Sequence, residues 1–250
     1  MTPVAVFLHT MLVVALGPLL VGLFQLAIQG GGLSALLAPA RAIGAGLRAP
    51  GQPPLAQLAV LALAVVAGLL IPLFSGDAVL GFLGDGFTAL LLLTGLSVGR
   101  LPLRVGTVLS AAASLWAIGA LTGSTDLAQA FSAWSVGPAT ILVFLGLILG
   151  VAPLMQPDGA RIEGLDDALA AWTRGTLQLG WLALGMMAFP VNFPLSGWVP
   201  FAAAVSLLVV KAGVFGALLA HLTARWPKLP LAEVGLACSL LALFLVKLGL

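Results

Sequence analysis

The chain has 250 residues, of which 61% are hydrophobic and 7% charged, with a formal net charge of +2. A water-soluble domain carries about 25% charged residues, so most of this surface has to face something other than water. There is no polybasic run to hold nucleic acid. The lone Cys238 excludes an internal disulfide, and no Cys/His cluster exists to ligate zinc or an iron–sulfur centre.

Read from the N-terminus, the apolar run Val4–Ile28 has no basic leader and is too long for a signal-peptide core of 7–15 residues. It is expected to be a retained membrane span. Runs long enough for a helical crossing follow at Leu55–Phe74, Val79–Val98, Leu103–Leu121, Leu127–Val151, Thr176–Phe193, Trp198–Leu222 and Leu231–Val246. The predicted fold is an all-α polytopic membrane bundle of about eight transmembrane helices. Stretches such as "LAVLALAVVAGLLIPLF" lack the two-residue alternation of a β-barrel. No fixed-period repeat and no linker divide the chain, so 1–250 reads as one transmembrane domain.

Charge placement supports this count. Arg41, Arg48, Arg100, Arg161, Arg174, Arg225 and Lys228 fall in odd-numbered loops, and Arg104 at the border of the third loop with the fourth span. The even-numbered loops carry no Lys or Arg; Lys211 lies inside a span and Lys247 near the end of the chain. The positive-inside rule then predicts cytoplasmic odd loops and both termini outside. Trp172, Trp198 and Trp226 lie near predicted span ends, where an amphipathic ring suits the interface.

Two predicted cytoplasmic loops, 29–54 and 152–175, are long enough to carry structure. In the first, Leu33, Leu36, Leu37, Ile43 and Leu47 fit one face of a surface helix with a kink expected at Pro39. The second holds Asp158, Glu163, Asp166 and Asp167, half of the eight acidic residues. These loops are the expected docking surface for a soluble partner.

Ionisable groups inside a span cost about 2.5–3.5 kcal/mol on insertion scales and point to function. Lys211 is the deepest, near the middle of the seventh span, and is expected to turn toward a carboxylate, a carbonyl or water in the bundle interior. It reads as an element of an ion path or as a structural tie between helices. Asp85, flanked by Gly81, Gly84 and Gly86, falls about a turn and a half inside the third predicted span, as part of an ion route or as a polar clamp. His221 and Glu233 bracket the turn "HLTARWPKLPLAE". His221 suits a proton carrier or a hydrogen-bonded helix end. Glu233 suits the same route or the favourable dipole of a helix start. His9 is expected to be structural. There is no nucleophile–base set, no phosphate loop and no dinucleotide fingerprint, so no catalytic, cofactor-binding or metal-ligating residue is assigned.

Several stretches resemble the quinone-site membrane subunit family of respiratory complex I and its relatives in formate hydrogenlyase and the group 4 membrane-bound hydrogenases. "GPLLVGLFQLAIQGGGLSALLAPARAIGAGLRA" is similar to that family's first span and Gly-rich amphipathic helix. "GDGFTALLLLTGLSVGR" resembles its third span, "GPATILVFLGLILG" its fifth, and "RIEGLDDALAAWTRGTLQLGWLALGMMAFP" its acidic loop and sixth. "VVKAGVFGALLAHLTARWPKLPLAE" resembles its Lys-bearing seventh span and basic turn.

The chain is poorer in charge than the family pattern. Gly31 and Gly32 stand where the family carries paired Arg, Gly137 where it carries Glu, and the run leading into the sixth span keeps only Glu163, Asp166 and Asp167. The resemblance therefore implies an anchoring and coupling subunit rather than a quinone-reducing one, in a bacterial or archaeal inner membrane. It implies antiporter-like membrane partners and a peripheral redox arm that holds the iron–sulfur clusters, this chain carrying no cofactor. Arg41, Arg48, Glu163, Asp166, Asp167 and Arg174 are the implied docking residues, and Lys211 with Asp85 the surviving polar axis. A small stand-alone transporter or permease, with Lys211 and Asp85 lining its cavity, is the alternative. A scaffold with no ion path is a third.

Overall fold

The computed structural model describes residues 33–71, 85–132, 136–156, 161–186, 214–219 and 221–249, with positions 10, 11, 13–15, 19, 206 and 210. Among these residues the fold is all-helical, and the only β feature is one isolated bridge, between Asp85 and Asp126. The helices are α1 (Leu33–Gly46), α2 (Leu55–Leu69), α3 (Gly86–Ser97), α4 (Val105–Thr122), α5 (Leu127–Ser132), α6 (Pro138–Val151), α7 (Leu165–Met186) and α8 (Leu231–Lys247). Residues 214–219 and 221–225 are also helical.

Local chemistry sets the ends of these helices. The Asp85 carboxylate accepts from the Thr88 N–H and hydroxyl, both at 3.0 Å, and so caps α3. Gly123, at φ +74°, closes α4 in the left-handed region that glycine enters without a Cβ penalty. Pro138 occupies the first turn of α6, where its missing N–H costs nothing. Ahead of it the Thr140 hydroxyl accepts from the Gly137 N–H at 2.6 Å and donates to the Gly137 carbonyl at 2.7 Å. Past Val151 the chain tightens into a 3-10 turn, Ala152–Met155, that contains Pro153. α8 has Glu233 in its first turn and Lys247 in its last, each on the favourable side of the helix dipole.

Among the described residues two helices, Val105–Thr122 and the continuous run Pro138–Met155, are long and apolar enough to cross a membrane. Each has 18 residues, about 27 Å of rise against a hydrocarbon thickness of about 30 Å. Three sequence expectations need correction. The predicted fifth span divides at Gly137–Pro138 into the short α5 and the longer α6. The predicted third span begins, as a described helix, at Gly86, so Asp85 is its cap rather than a residue inside it. The expected loop 152–175 is helical from Leu165 onward, because α7 extends through Asp166, Asp167 and Arg174. The surface helix expected around Pro39 is present as α1.

α8 packs most extensively against α6 and α4, and α4 also packs against α6. All three carry small residues four apart at this contact: Ser110 and Ser114 on α4, Gly146 and Gly150 on α6, Gly235 and Ser239 on α8. A Cβ added at Gly146 would collide with the Ser239 hydroxyl, and one at Gly235 would stand 2.8 Å from the Gly146 carbonyl oxygen. The backbones are close enough for side-chain hydroxyls to reach across. Ser110 donates to the Gly146 carbonyl at 2.8 Å, and Ser239 donates to its own Gly235 carbonyl at 3.0 Å. Ser239 has spent its single proton there, so it accepts from Ser114 at 2.7 Å.

The outer faces of the same helices are apolar. Trp116 is 67% exposed and Phe244 58%, with Leu109, Ile141, Leu240 and Leu241 also exposed, whereas Ser110, Ser114 and Ser239 are fully buried. Large apolar groups on the outer faces, with hydroxyls among the buried residues of the seam, depart from the order expected in water and match helices packed in lipid. The rest of the body has an ordinary apolar interior, including Trp181, whose Nε1 donates to Ser97 at 2.9 Å.

Close approach outweighs the hydroxyl bonds in this seam. Gly146→Leu forces the helices apart and should destabilise the chain by about 1–3 kcal/mol, against about 0.6 kcal/mol for Ser239→Ala. Unfolding in mixed detergent micelles reads both, and the glycine variant should be the less stable.

Candidate functional site

The helices end on two surfaces. At one end the Arg174 Nε donates to the Arg100 carbonyl at 3.1 Å, joining α7 to the turn between α3 and α4. Gly106 lies with its Cβ direction 3.2 Å from Ala232 and 3.6 Å from the Glu233 carboxyl carbon, which sets the starts of α4 and α8 side by side. At the opposite end the Gly86 N–H donates to Thr125 at 3.1 Å. Ala120, Leu121, Gly137, Val246 and Gly249 line one shallow depression there.

Arg100, Arg104, Arg225 and Lys228, all exposed, stand at the first end. α1 joins them there. A methyl group added to Gly46 would meet Ala168 at 2.7 Å and the Gly164 carbonyl at 2.9 Å, so α1 rests directly on the start of α7. The two long loops singled out in the sequence therefore form a single platform. Arg41 and Arg48 are exposed on the first of these loops, and Arg161, Glu163, Asp166 and Asp167 on the second. Within the platform the Asp167 carboxylate accepts from the Glu163 N–H at 3.2 Å.

Arg174 differs from the other expected docking residues. It is half-buried and turned to the Arg100 carbonyl. Desolvation pushes its pKa below the ordinary guanidinium value, though a guanidinium stays charged at neutral pH. One helical turn further on, Gln178 is buried and donates to the Leu154 and Gln156 carbonyls at 2.8 and 3.1 Å. That bond satisfies acceptors at the 3-10 turn and ties α7 to the end of α6. Neither Gln178 nor the serine seam was singled out in the sequence. The available signal was the spacing of small residues in "GLILG" and "GLACS".

Lys211 and His9 lie outside the described residues. Asp85 sits at the opposite end, capping α3 and paired through backbone with Asp126. His221 and Glu233 are exposed and lie toward the basic end. The structure thus does not bring Asp85 together with His221 or Glu233. Among the described residues no three His, Cys, Asp or Glu side chains come together to hold a metal. Among the described residues three buried polar atoms have no partner: Gln57 Oε1, Thr94 Oγ1 and Thr107 Oγ1. Gln57 and Thr107 are each third in their helices, and Thr94 is three residues before the end of α3, so all three lie within about one turn of the basic end.

A scan against protein-family models gives no match, and a search of curated proteins gives none.

Asp85 can be tested as a cap and as a charge separately. Asp85→Ala should cost about 1 kcal/mol through loss of the cap. Asp85→Asn, which caps equally well without charge, should leave stability within a few tenths of a kcal/mol of the parent. Thermal unfolding in detergent checks both.

Proposed function

We propose that this chain is a multi-pass inner-membrane subunit that anchors and couples a redox-driven, ion-translocating assembly of the complex I or membrane-bound hydrogenase type. In this reading eight spans cross the bilayer with both termini outside. The basic end is cytoplasmic, in keeping with the positive-inside rule. The platform made by α1 and the start of α7 receives a peripheral arm, and outward apolar faces receive antiporter-like subunits. Iron–sulfur clusters and electron transfer belong to the partners.

The observation that carries this reading is the coincidence of charge and packing at one end. The two long loops pack on each other beside the basic turns and present Arg41, Arg48, Glu163, Asp166 and Asp167 together. A mixed-charge platform at the end of an apolar bundle suits a partner of matching charge pattern, since such complementarity fixes register and excludes wrong partners. The sequence resemblance supplies the class of partner. The charge-poor first loop and Gly137 support an anchoring role over a quinone-reducing one.

Lys211 is then the interior charge of the ion path. Purification from native membranes in mild detergent should recover the chain with iron–sulfur and antiporter-like proteins; a solitary, stable monomer contradicts the proposal. Asp166→Lys with Asp167→Lys should release the peripheral arm and leave the membrane partners bound. Lys211→Leu should keep the complex whole and abolish ion movement coupled to its redox reaction. Unchanged coupling would reduce the chain to a scaffold.

A further inference from the structure

The basic end carries a second feature that the docking platform does not use. The packing of Gly106 against Ala232 sets the starts of α4 and α8 side by side, so the turn 99–104 before the one and the turn 226–230 before the other lie at the same end of the bundle. Arg100 and Arg104 on the first turn, Lys228 on the second and Arg225 at the end of the helical segment just before it are all exposed, four cations against the single exposed carboxylate of Glu233. The Arg100 Nη1 donates to the Leu96 carbonyl at 3.2 Å, which holds that guanidinium at the end of α3. Trp226 is 50% exposed in the same turn, as expected of a ring at headgroup level. Immediately below the cations, on the side of the bundle, Val98, Val105, Leu109 and Val234 are exposed.

We infer that these paired turns form a binding site for an anionic phospholipid, its phosphate held by Arg104 and Lys228 and their neighbours, its acyl chains laid along the apolar starts of α4 and α8. The inference rests on the membrane reading above. The apolar face continuous with the cations selects lipid over an acidic soluble protein, because a soluble partner would satisfy the charges and leave Val105 and Leu109 uncovered. It also goes beyond the general bias of cytoplasmic loops. That bias needs only the number of cations per loop, whereas this site needs two loops brought together by the α4–α8 contact. Juxtamembrane cations contribute about fivefold each to binding of an anionic lipid surface.

The test uses the full chain in neutral detergent, with native mass spectrometry counting bound phosphatidylglycerol and phosphatidylcholine of matched chain length. Phosphatidylglycerol should bind preferentially. Arg104→Gln and Lys228→Gln should each weaken it roughly fivefold and together about 25-fold, with helical content unchanged. Glu233→Gln should tighten it, and Lys247→Gln, which removes an exposed cation from the opposite end, should do nothing. Soluble glycerol phosphate at the same concentration should not compete. Equal binding of both lipids, equal weakening by Lys247→Gln, or full competition by glycerol phosphate would each overturn the site. Insertion into phosphatidylcholine nanodiscs separates the two ideas. A chain that inserts and shows no lipid preference overturns the lipid site alone, and one that inserts into no bilayer overturns the membrane reading with it.

Discussion

The contact of α4, α6 and α8 is the constraint on which the rest depends. In water, burying large apolar side chains drives helices together, at about 25 cal/mol for each square ångström removed from solvent. In lipid that force vanishes, because acyl chains are as apolar as leucine, and helices associate through close packing and interhelical bonds. Gly146, Gly150 and Gly235 let three backbones approach to distances that a methyl group would prevent. Ser110, Ser114 and Ser239 then span the gap with bonds of 2.7–2.8 Å. Leu240, Leu241, Phe244 and Trp116, which would be interior residues in a soluble protein, are left facing out.

The same seam fixes the geometry of the basic end. Gly106 against Ala232 belongs to it, and it decides that α4 and α8 start side by side at the same end. From there the Arg174 bond to Arg100 and the Gln178 bonds to Leu154 and Gln156 carry the alignment to α7, and α7 carries α1. The Arg174 and Gln178 links are polar side chains satisfied by backbone carbonyls beyond helix ends, where carbonyls lack helical partners, and the link to α1 is the close packing of Gly46 on Ala168. Asp85 plays the matching part at the opposite end, where its carboxylate serves the first turn of α3.

Much of this organisation was legible in the sequence because it depends on hydropathy and charge, which are local. The starts at Leu55 and Leu231 and the surface helix around Pro39 agree with the structure, since proline and a change in polarity mark them. The division of the fifth predicted span escaped hydropathy because Gly137–Pro138 interrupts an apolar run without changing its polarity. The early start of α7 escaped it because Asp166 and Asp167, which lower hydropathy, are also good first-turn residues. Asp85 looked like a charge within a span for the opposite reason: the apolar run extends across the point where the helix is capped. The platform of α1 on α7 and the serine seam are tertiary. Sequence gives the small-residue spacing, but it does not say which helix each spacing faces.

The outward-apolar, inward-hydroxyl arrangement is tested most directly on α8, where adjacent residues face opposite ways. Leu241 is 49% exposed and Ala242 fully buried. Spin labels at Leu241→Cys and Ala242→Cys, in a Cys238→Ser background reconstituted in bilayers, report collisions with oxygen, which concentrates in lipid, and with a water-soluble nickel chelate. The account predicts frequent oxygen and rare nickel collisions at position 241, and rare collisions with either at 242. Frequent nickel collisions at 241 would place that face in water and contradict it.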